Sequence, residues 1–240
     1  MKVRVDQLLT DRGLAESRQK AQALVLAGQV MVNGQKAQKA GQTVADDAAL
    51  EVLQQPKYVG RGGLKLEAAL DRFAIDPAGW ICVDVGSSTG GFTDCLLQRG
   101  AARVFCVDSG TGQLDWKLRN DPRVVVMEQF NARFLKPEDL GEQCRLAVCD
   151  VSFISVTMVL GGMTSVLRED GEMVVLVKPQ FEVGRGEVGK GGIVRDPALH
   201  QAACDKVRSA VEELGFRTAL MESPILGAEG NREFLLHAAH

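Results

Sequence analysis

Residues 80–97, WICVDVGSSTGGFTDCLL, constrain this chain more than any other segment. The apolar run ICVDV admits one acid, Asp84, near its end. The glycines and hydroxyls of GSSTGG then make a tight turn, and FTDCLL opens a helix. A buried strand, a glycine turn and a helix form the first unit of a nucleotide-binding α/β sheet. The next apolar run, VFCVD, ends at Asp108, 22 residues after Gly86. Such sheets place an acid there against ribose hydroxyls.

A dinucleotide fingerprint requires glycine at 86, 88 and 91, but position 88 is Ser. Without that glycine the backbone cannot approach a pyrophosphate easily. Gly86, Gly90 and Gly91, with the hydroxyls of Ser87, Ser88 and Thr89, suit a cofactor that joins an amino acid to a nucleoside. The N–H groups that open the helix near Gly91 would accept its carboxylate. Asn131, in EQFNAR, is either an adenine contact or an ordinary turn residue.

Further apolar runs cover 104–108, 123–129, 145–151, 171–179, 216–225 and 233–239. Most are near-continuous, as parallel strands covered on both faces require. Helical patterns alternate with them: TDCLLQRG, SVTMVLGGMTSVLRED and PALHQAACDKVRSAVEELG. This is α/β. No helix separates the last two strands, so they should pair antiparallel. A terminal antiparallel hairpin on a parallel sheet is the Rossmann-like arrangement of S-adenosylmethionine methyltransferases, and S-adenosylmethionine is the expected cofactor.

Composition sets the class. With 45% hydrophobic and 25% charged residues, the chain reads as an ordinary globular protein. No apolar run approaches a membrane span, and MKVRVDQLL lacks the apolar core of a signal peptide, so a cytoplasmic location is expected. The six cysteines form no CxxC pair and read as buried apolar side chains. Charge is uneven. Residues 1–65 carry ten Lys/Arg against six Asp/Glu, a balance of +4, whereas the remainder carries eighteen against twenty-five, −7. A basic small module on an acidic large one points to a polyanion met by the N-terminal part.

In that module, Ser17 is a good N-cap before RQKAQALVLAG. Asn33-Gly34 marks a hairpin within QVMVNGQKAQKAGQTV, and the strand ALEVL follows. This order resembles a small α+β S4 RNA-binding domain. The resemblance rests on Arg4-x-Asp6, Leu8-Leu9, Ser17-Arg18, Ala21 and Gly28-x-Val30-x-Val32-Asn33-Gly34. It implies that Arg4, Arg18, Lys20, Lys36 and Lys39 meet RNA phosphates. The domain is expected at 1–55, a linker at 56–63, and the catalytic domain at 64–240.

Three polar residues stand where buried strands end or begin. Asp150 closes one run in CDVSFIS, Lys178 closes the next in VVLVKPQFE, and Glu233 opens the last in GNREFLLH. An antiparallel last strand starts at the edge where its parallel neighbours finish, so Glu233 should meet Asp150 and Lys178. Charge against a VVLV run is costly without partners. Lys65, between two leucines near a helix start, reads on pattern alone as a surface residue.

GRGGLKL, DVGSSTGGFTD, CDVSFIS, VKPQFE, VGKGGIVRD and GNREFLL together resemble the TlyA (haemolysin A-like) family of rRNA 2′-O-methyltransferases, an S4 domain fused to an FtsJ/RrmJ-type domain. The resemblance implies a catalytic Lys-Asp-Lys-Glu tetrad at Lys65, Asp150, Lys178 and Glu233. It implies ribosomal RNA as substrate, with cytidine favoured, and ribosomal subunits as partners. A ribose 2′-hydroxyl is a poor nucleophile until its proton is taken or held. Lys178 is the candidate for that task, with burial and a second cation, Lys65, keeping its amine neutral. Asp150 would orient Lys178, and Glu233 would hold Lys65 and the ribose. No metal is needed, because a sulfonium is already a strong leaving group.

The segment 184–190 imitates a phosphate-binding loop, but position 191 is Gly where Ser or Thr should bind Mg²⁺. It reads as a mobile loop that covers the site or touches RNA through Arg185 and Lys190. Three rival functions stand beside methyl transfer: a non-catalytic RNA-binding or ribosome-assembly factor, a cytolysin, and a pseudouridine synthase, whose catalytic Asp in an Arg-Leu-Asp context RLAVCD does not supply. The intact tetrad opposes the first. The lack of a strongly amphipathic membrane helix opposes the second.

Overall fold

The computed structural model describes residues 2–53, 56–227 and 229–240, apart from the side chain of Arg185. Two compact units are present, Met1–Pro56 and Lys57–His240.

The first unit contains β1 (Lys2–Arg4), α1 (Val5–Asp11), α2 (Arg18–Leu26), β2 (Val30–Val32), β3 (Gln35–Lys36), β4 (Thr43–Ala45) and β5 (Leu50–Val52). Ser17 caps α2 by accepting the Lys20 N–H at 3.2 Å. Asn33 and Gly34 both have positive φ, 50° and 77°, as a tight hairpin between β2 and β3 demands. β5 pairs antiparallel with β2, completing a three-stranded sheet, while β1 pairs with β4. Val5, Leu9, Ala21, Val25 and Val30 form the core. The β1–β4 ribbon is too short and too charged to show alternation in the sequence.

The second unit contains α3 (Gly62–Arg72), β6 (Ile81–Val85), α4 (Gly91–Gln98), β7 (Arg103–Val107), α5 (Trp116–Arg119), β8 (Val124–Met127), α6 (Pro137–Leu140), β9 (Cys144–Cys149), α7 (Leu160–Ser165), β10 (Leu167–Val177), α8 (Pro179–Glu182), α9 (Pro197–Glu212), β11 (Arg217–Glu222) and β12 (Phe234–Ala239). Its seven strands run in the order β11-β12-β10-β9-β6-β7-β8. The five from β10 to β8 are parallel. β12 lies antiparallel between β10 and β11, so the expected terminal hairpin is present. Apolar side chains cover both faces, which is why these strands are near-continuous in hydrophobicity. Cys82, Cys106 and Cys149 sit inside this core as free thiols.

Two expectations need correction. The helix read over SVTMVLGGMTSVLRED ends at Ser165, and Leu167 already begins β10. A register shift between Leu167 and Glu172 lets the polar LRED segment join the strand edge. The linker assigned to 56–63 is mostly packed structure. Tyr58 is buried, the Val59 N–H donates to Asp94 Oδ2 at 2.9 Å, and α3 opens at Gly62. A Cβ on Gly63 would lie 2.3 Å from Tyr58 Cγ, so the glycines that read as linker are there for close packing.

Candidate active site

The C-terminal ends of β6, β7, β9 and β10 share one edge of the sheet, and two adjoining clefts open there. The larger, about 570 Å³, runs from Gly86 and Ser88 past Asp108 and Gly110 to Phe130, Asn131 and Val159. The smaller, about 160 Å³, is lined by Gly62, Asp84, Ser87, Thr89, Gly91, Asp150 and Lys178. Gly86, Ser88, Asp150 and Ser152 border both.

The glycine turn shapes this junction. A Cβ on Gly86 would fall 2.8 Å from the Asp150 carbonyl oxygen, so only glycine allows β6 and β9 to end this close together. Gly90, at φ 94°, turns the chain into α4. Asp84 is fully buried, and its Oδ2 accepts the Thr93 N–H at 3.0 Å and the Thr93 hydroxyl at 2.6 Å. Among the described residues its Oδ1 is buried without a partner. Burial, together with the nearby Asp150 and Asp108, pushes the Asp84 carboxyl up to about 7, against the opposing Thr93 hydrogen bonds. An orphaned carboxylate oxygen beside a small polar cleft fits the ammonium of an amino-acid-bearing cofactor. Asp108 lines the larger cleft, and its oxygens accept the Ser88 N–H at 2.8 Å and the Gly110 N–H at 2.7 Å. It therefore ties two loops together at the rim. Asn131 also lines the cleft, while its Oδ1 accepts the Arg133 N–H at 3.1 Å.

The four tetrad positions form two ion pairs. Lys178 Nζ lies 2.5 Å from Asp150 Oδ1, an ion contact rather than an aligned hydrogen bond. It also donates to Ser152 Oγ at 2.8 Å. Lys65 Nζ donates to Glu233 Oε2 at 2.5 Å, and both residues are buried. Lys65 is thus not a surface lysine: α3 turns it inward to meet the start of β12. The second cation expected to press on Lys178 is itself matched by Glu233.

Several neighbours escaped the sequence reading. Phe153 follows Ser152 with φ 67°, uncommon for a bulky residue, and is 88% exposed. Its ring lies 5.5 Å from that of Phe181. Strain and exposure of this kind gather at functional sites. Asn231 is buried, accepting the Val194 N–H at 2.9 Å and donating to the Gly192 carbonyl at 2.8 Å. It pins the glycine-rich segment beside Glu233. The sequence signal for both was their place next to a strand end. Lys190 is exposed on that segment, whereas the Arg185 side chain lies outside the described residues.

In the first unit, Arg4 spends its fork on Asp6, with Nε at 3.0 Å and Nη2 at 2.8 Å. Arg18 Nε reaches the same carboxylate at 3.2 Å. These contacts hold the Asp6 carboxyl well below the usual range, against the effect of burial. Arg4 and Arg18 therefore organise this surface as well as charging it. Lys20, Lys36 and Lys39 are exposed.

The FtsJ-like methyltransferase profile matches residues 58–240. This chain belongs to that family. The S4 domain profile matches residues 3–48. The 16S/23S rRNA (cytidine-2′-O)-methyltransferase TlyA of Mycobacterium tuberculosis is 48% identical over 238 residues, covering 98% of this chain and 89% of the relative. Hemolysin A of Brachyspira hyodysenteriae is 44% identical over 237 residues, covering 98% and 99%. A solved structure bearing the hemolysin name, from Streptococcus thermophilus, is 44% identical with a TM-score of 0.76, covering 99% of this chain and 88% of that one. FtsJ-like enzymes are methyltransferases. Among the described residues no helix is long and apolar enough to cross a membrane.

Proposed function

We propose that this protein transfers a methyl group from S-adenosylmethionine to a ribose 2′-hydroxyl of ribosomal RNA, at a cytidine. The observation that carries the reading is the pair of ion contacts, Lys178–Asp150 and Lys65–Glu233, beside the cleft that begins at Gly86. A 2′-hydroxyl requires a group that takes or holds its proton, with no large rearrangement of charge. Lys178 borders the small cleft with Asp150 on one side and Ser152 on the other. When bound, S-adenosylmethionine supplies an electrophilic methyl on a sulfonium.

Asp84 would hold the cofactor's ammonium. Gly86, Ser87, Thr89, Gly90 and Gly91 would surround its amino-acid portion, with Asp108 and Asn131 toward the nucleoside. The Lys178–Asp150 pair would take up the proton of the 2′-hydroxyl as that oxygen is methylated. Glu233 fixes Lys65 against the ribose. Most of the acceleration comes from aligning oxygen, methyl and sulfur. Exposed Phe153 offers a face on which the acceptor base can stack.

The S4 unit supplies RNA affinity through Lys20, Lys36 and Lys39, with Arg4 and Arg18 in partial support, and Lys190 adds an exposed charge on the glycine-rich segment. Few aromatics are available for base reading, so shape and phosphates are recognised. The acceptor is ribosomal RNA, as the rRNA activity named for the M. tuberculosis relative supports. The deciding experiment is mass spectrometry of rRNA from cells with and without the protein, repeated with Lys178→Ala. A 2′-O-methyl mark that depends on the protein and on Lys178 supports the reading. An unchanged rRNA, or a mark that survives Lys178→Ala, overturns it.

A further inference from the structure

Glu182 is a buried carboxylate that neither the cofactor nor the tetrad uses. It sits in α8, one turn after Lys178, with its side chain only 2% exposed. Three donors converge on it. Oε1 accepts the Val156 N–H at 2.7 Å; Oε2 accepts the Ser155 hydroxyl at 2.5 Å and Lys206 Nζ at 3.0 Å. Val156 and Ser155 belong to the segment that follows β9, and Lys206 belongs to α9.

The segment between β9 and Val156 carries Asp150, Ser152 and Phe153. Its near end is fixed by the Asp150 N–H donating to the Val85 carbonyl at 3.0 Å and by the Lys178 contacts to Asp150 and Ser152. Its far end is fixed by Glu182. Side chains of one stretch, residues 178–182, take part in both clamps, so the ends of β9 and β10 are locked to each other. Between the clamps Phe153 is held at φ 67°, a conformation that persists only when its surroundings impose it. A carboxylate is the group suited to three donors and no acceptor. An amide would turn an N–H toward one of them.

We infer that Glu182 is a positioning residue for the transfer step. Its carboxylate sets the course of residues 152–156, which places Ser152 against Lys178 and keeps Phe153 exposed at the cleft mouth. This rests on the methyl-transfer reading.

The test uses the full chain, S-adenosylmethionine and ribosomal subunits lacking the modification. Glu182→Gln should lower single-turnover kcat by about 10- to 100-fold, the scale of a misplacement near 1 Å. Kd for the cofactor should stay within about twofold, because its binding groups are untouched, and KM for the subunits should rise no further than it does in Phe153→Ala. Lys206→Met is the structural control. It removes the ion pair to α9, lowers Tm, and should keep kcat within about twofold of wild type. Wild-type kcat in folded Glu182→Gln overturns the inference, as does an equal kcat loss in Lys206→Met. Should Glu182→Gln fail to fold, Ser155→Ala carries the test, with a kcat loss and unchanged cofactor Kd expected and an unchanged kcat overturning it. The wild type and Lys178→Ala run alongside: inactive wild type or active Lys178→Ala refutes the methyl-transfer reading itself.

Discussion

Cofactor binding should release a proton, and Asp84 should be its source. Asp84 is fully buried, and burial, with two neighbouring acids, pushes it up to about 7. Its Oδ1 has no partner among the described residues. A cofactor ammonium placed there favours the ionised form and returns the group toward the ordinary carboxylate range near 3.9. Binding should therefore tighten as pH rises toward 7. With a free-state value of about 7, about 3% of Asp84 is ionised at pH 5.5 and about half at pH 7. Affinity should rise about 15-fold across that window, about 1.6 kcal/mol. The cofactor's own amine stays protonated there, so its titration does not intrude. Calorimetry at pH 6 in two buffers of different ionisation enthalpy should show release of about 0.9 proton per cofactor. A Kd independent of pH from 5.5 to 7 would refute the reasoning, and so would an unchanged pH slope in Asp84→Asn. The same raised value has a stability consequence. The folded state holds a proton that the unfolded state releases near 3.9, so Asp84 favours folding least above about 7, and its contribution declines as pH climbs through the interval.

Lys178→Ala should lower the methylation rate by about 100-fold or more while calorimetry shows cofactor affinity within about twofold of wild type. Lys65→Met leaves Glu233 buried without its partner and should cost about 3–5 kcal/mol in chemical denaturation, whereas Lys65→Met with Glu233→Leu should recover much of that. Phe153→Ala should weaken RNA engagement by about 1–3 kcal/mol, read as a raised KM or lowered kcat/KM, and should leave Tm unchanged because the ring is exposed. Gly63→Ala drives a methyl into the Tyr58 ring and should lower stability by about 1–3 kcal/mol. Tyr58 is the single tyrosine, and burial raises its hydroxyl above the ordinary value, so the 295 nm absorbance change in alkali should wait for unfolding.

The sheet was legible because its strands are buried on both faces, leaving almost unbroken apolar runs that end at Asp84, Asp108, Asp150 and Lys178. Glu233 was legible from topology alone: antiparallel pairing delivers the start of β12 to the edge where β10 finishes. Lys65 was harder. Its burial depends on a partner 168 residues away, which helical periodicity cannot reveal. The segment 57–63 reads as loop because glycine serves both turns and close packing, and only the Tyr58–Gly63 contact separates the two uses. The partial diversion of Arg4 and Arg18 from phosphate to Asp6 is equally hidden, since Arg4-x-Asp6 fits either a paired or a free guanidinium. Phe153 was lost among apolar neighbours, because its exposure follows from a left-handed backbone that no pattern of residue types announces.

The position of β12 also has a kinetic meaning. It is the latest strand of the sheet in chain order, yet it occupies an interior lane between β10 and β11. Until it enters, β10 presents an unpaired edge and Lys65 has no carboxylate to meet. Contacts of such long sequence separation form slowly, because loop closure precedes any gain from them. Recovery of methylation after dilution from denaturant should then lag behind recovery of helical signal. The catalyst becomes competent only at the final stage of refolding, and partly assembled molecules do not methylate RNA.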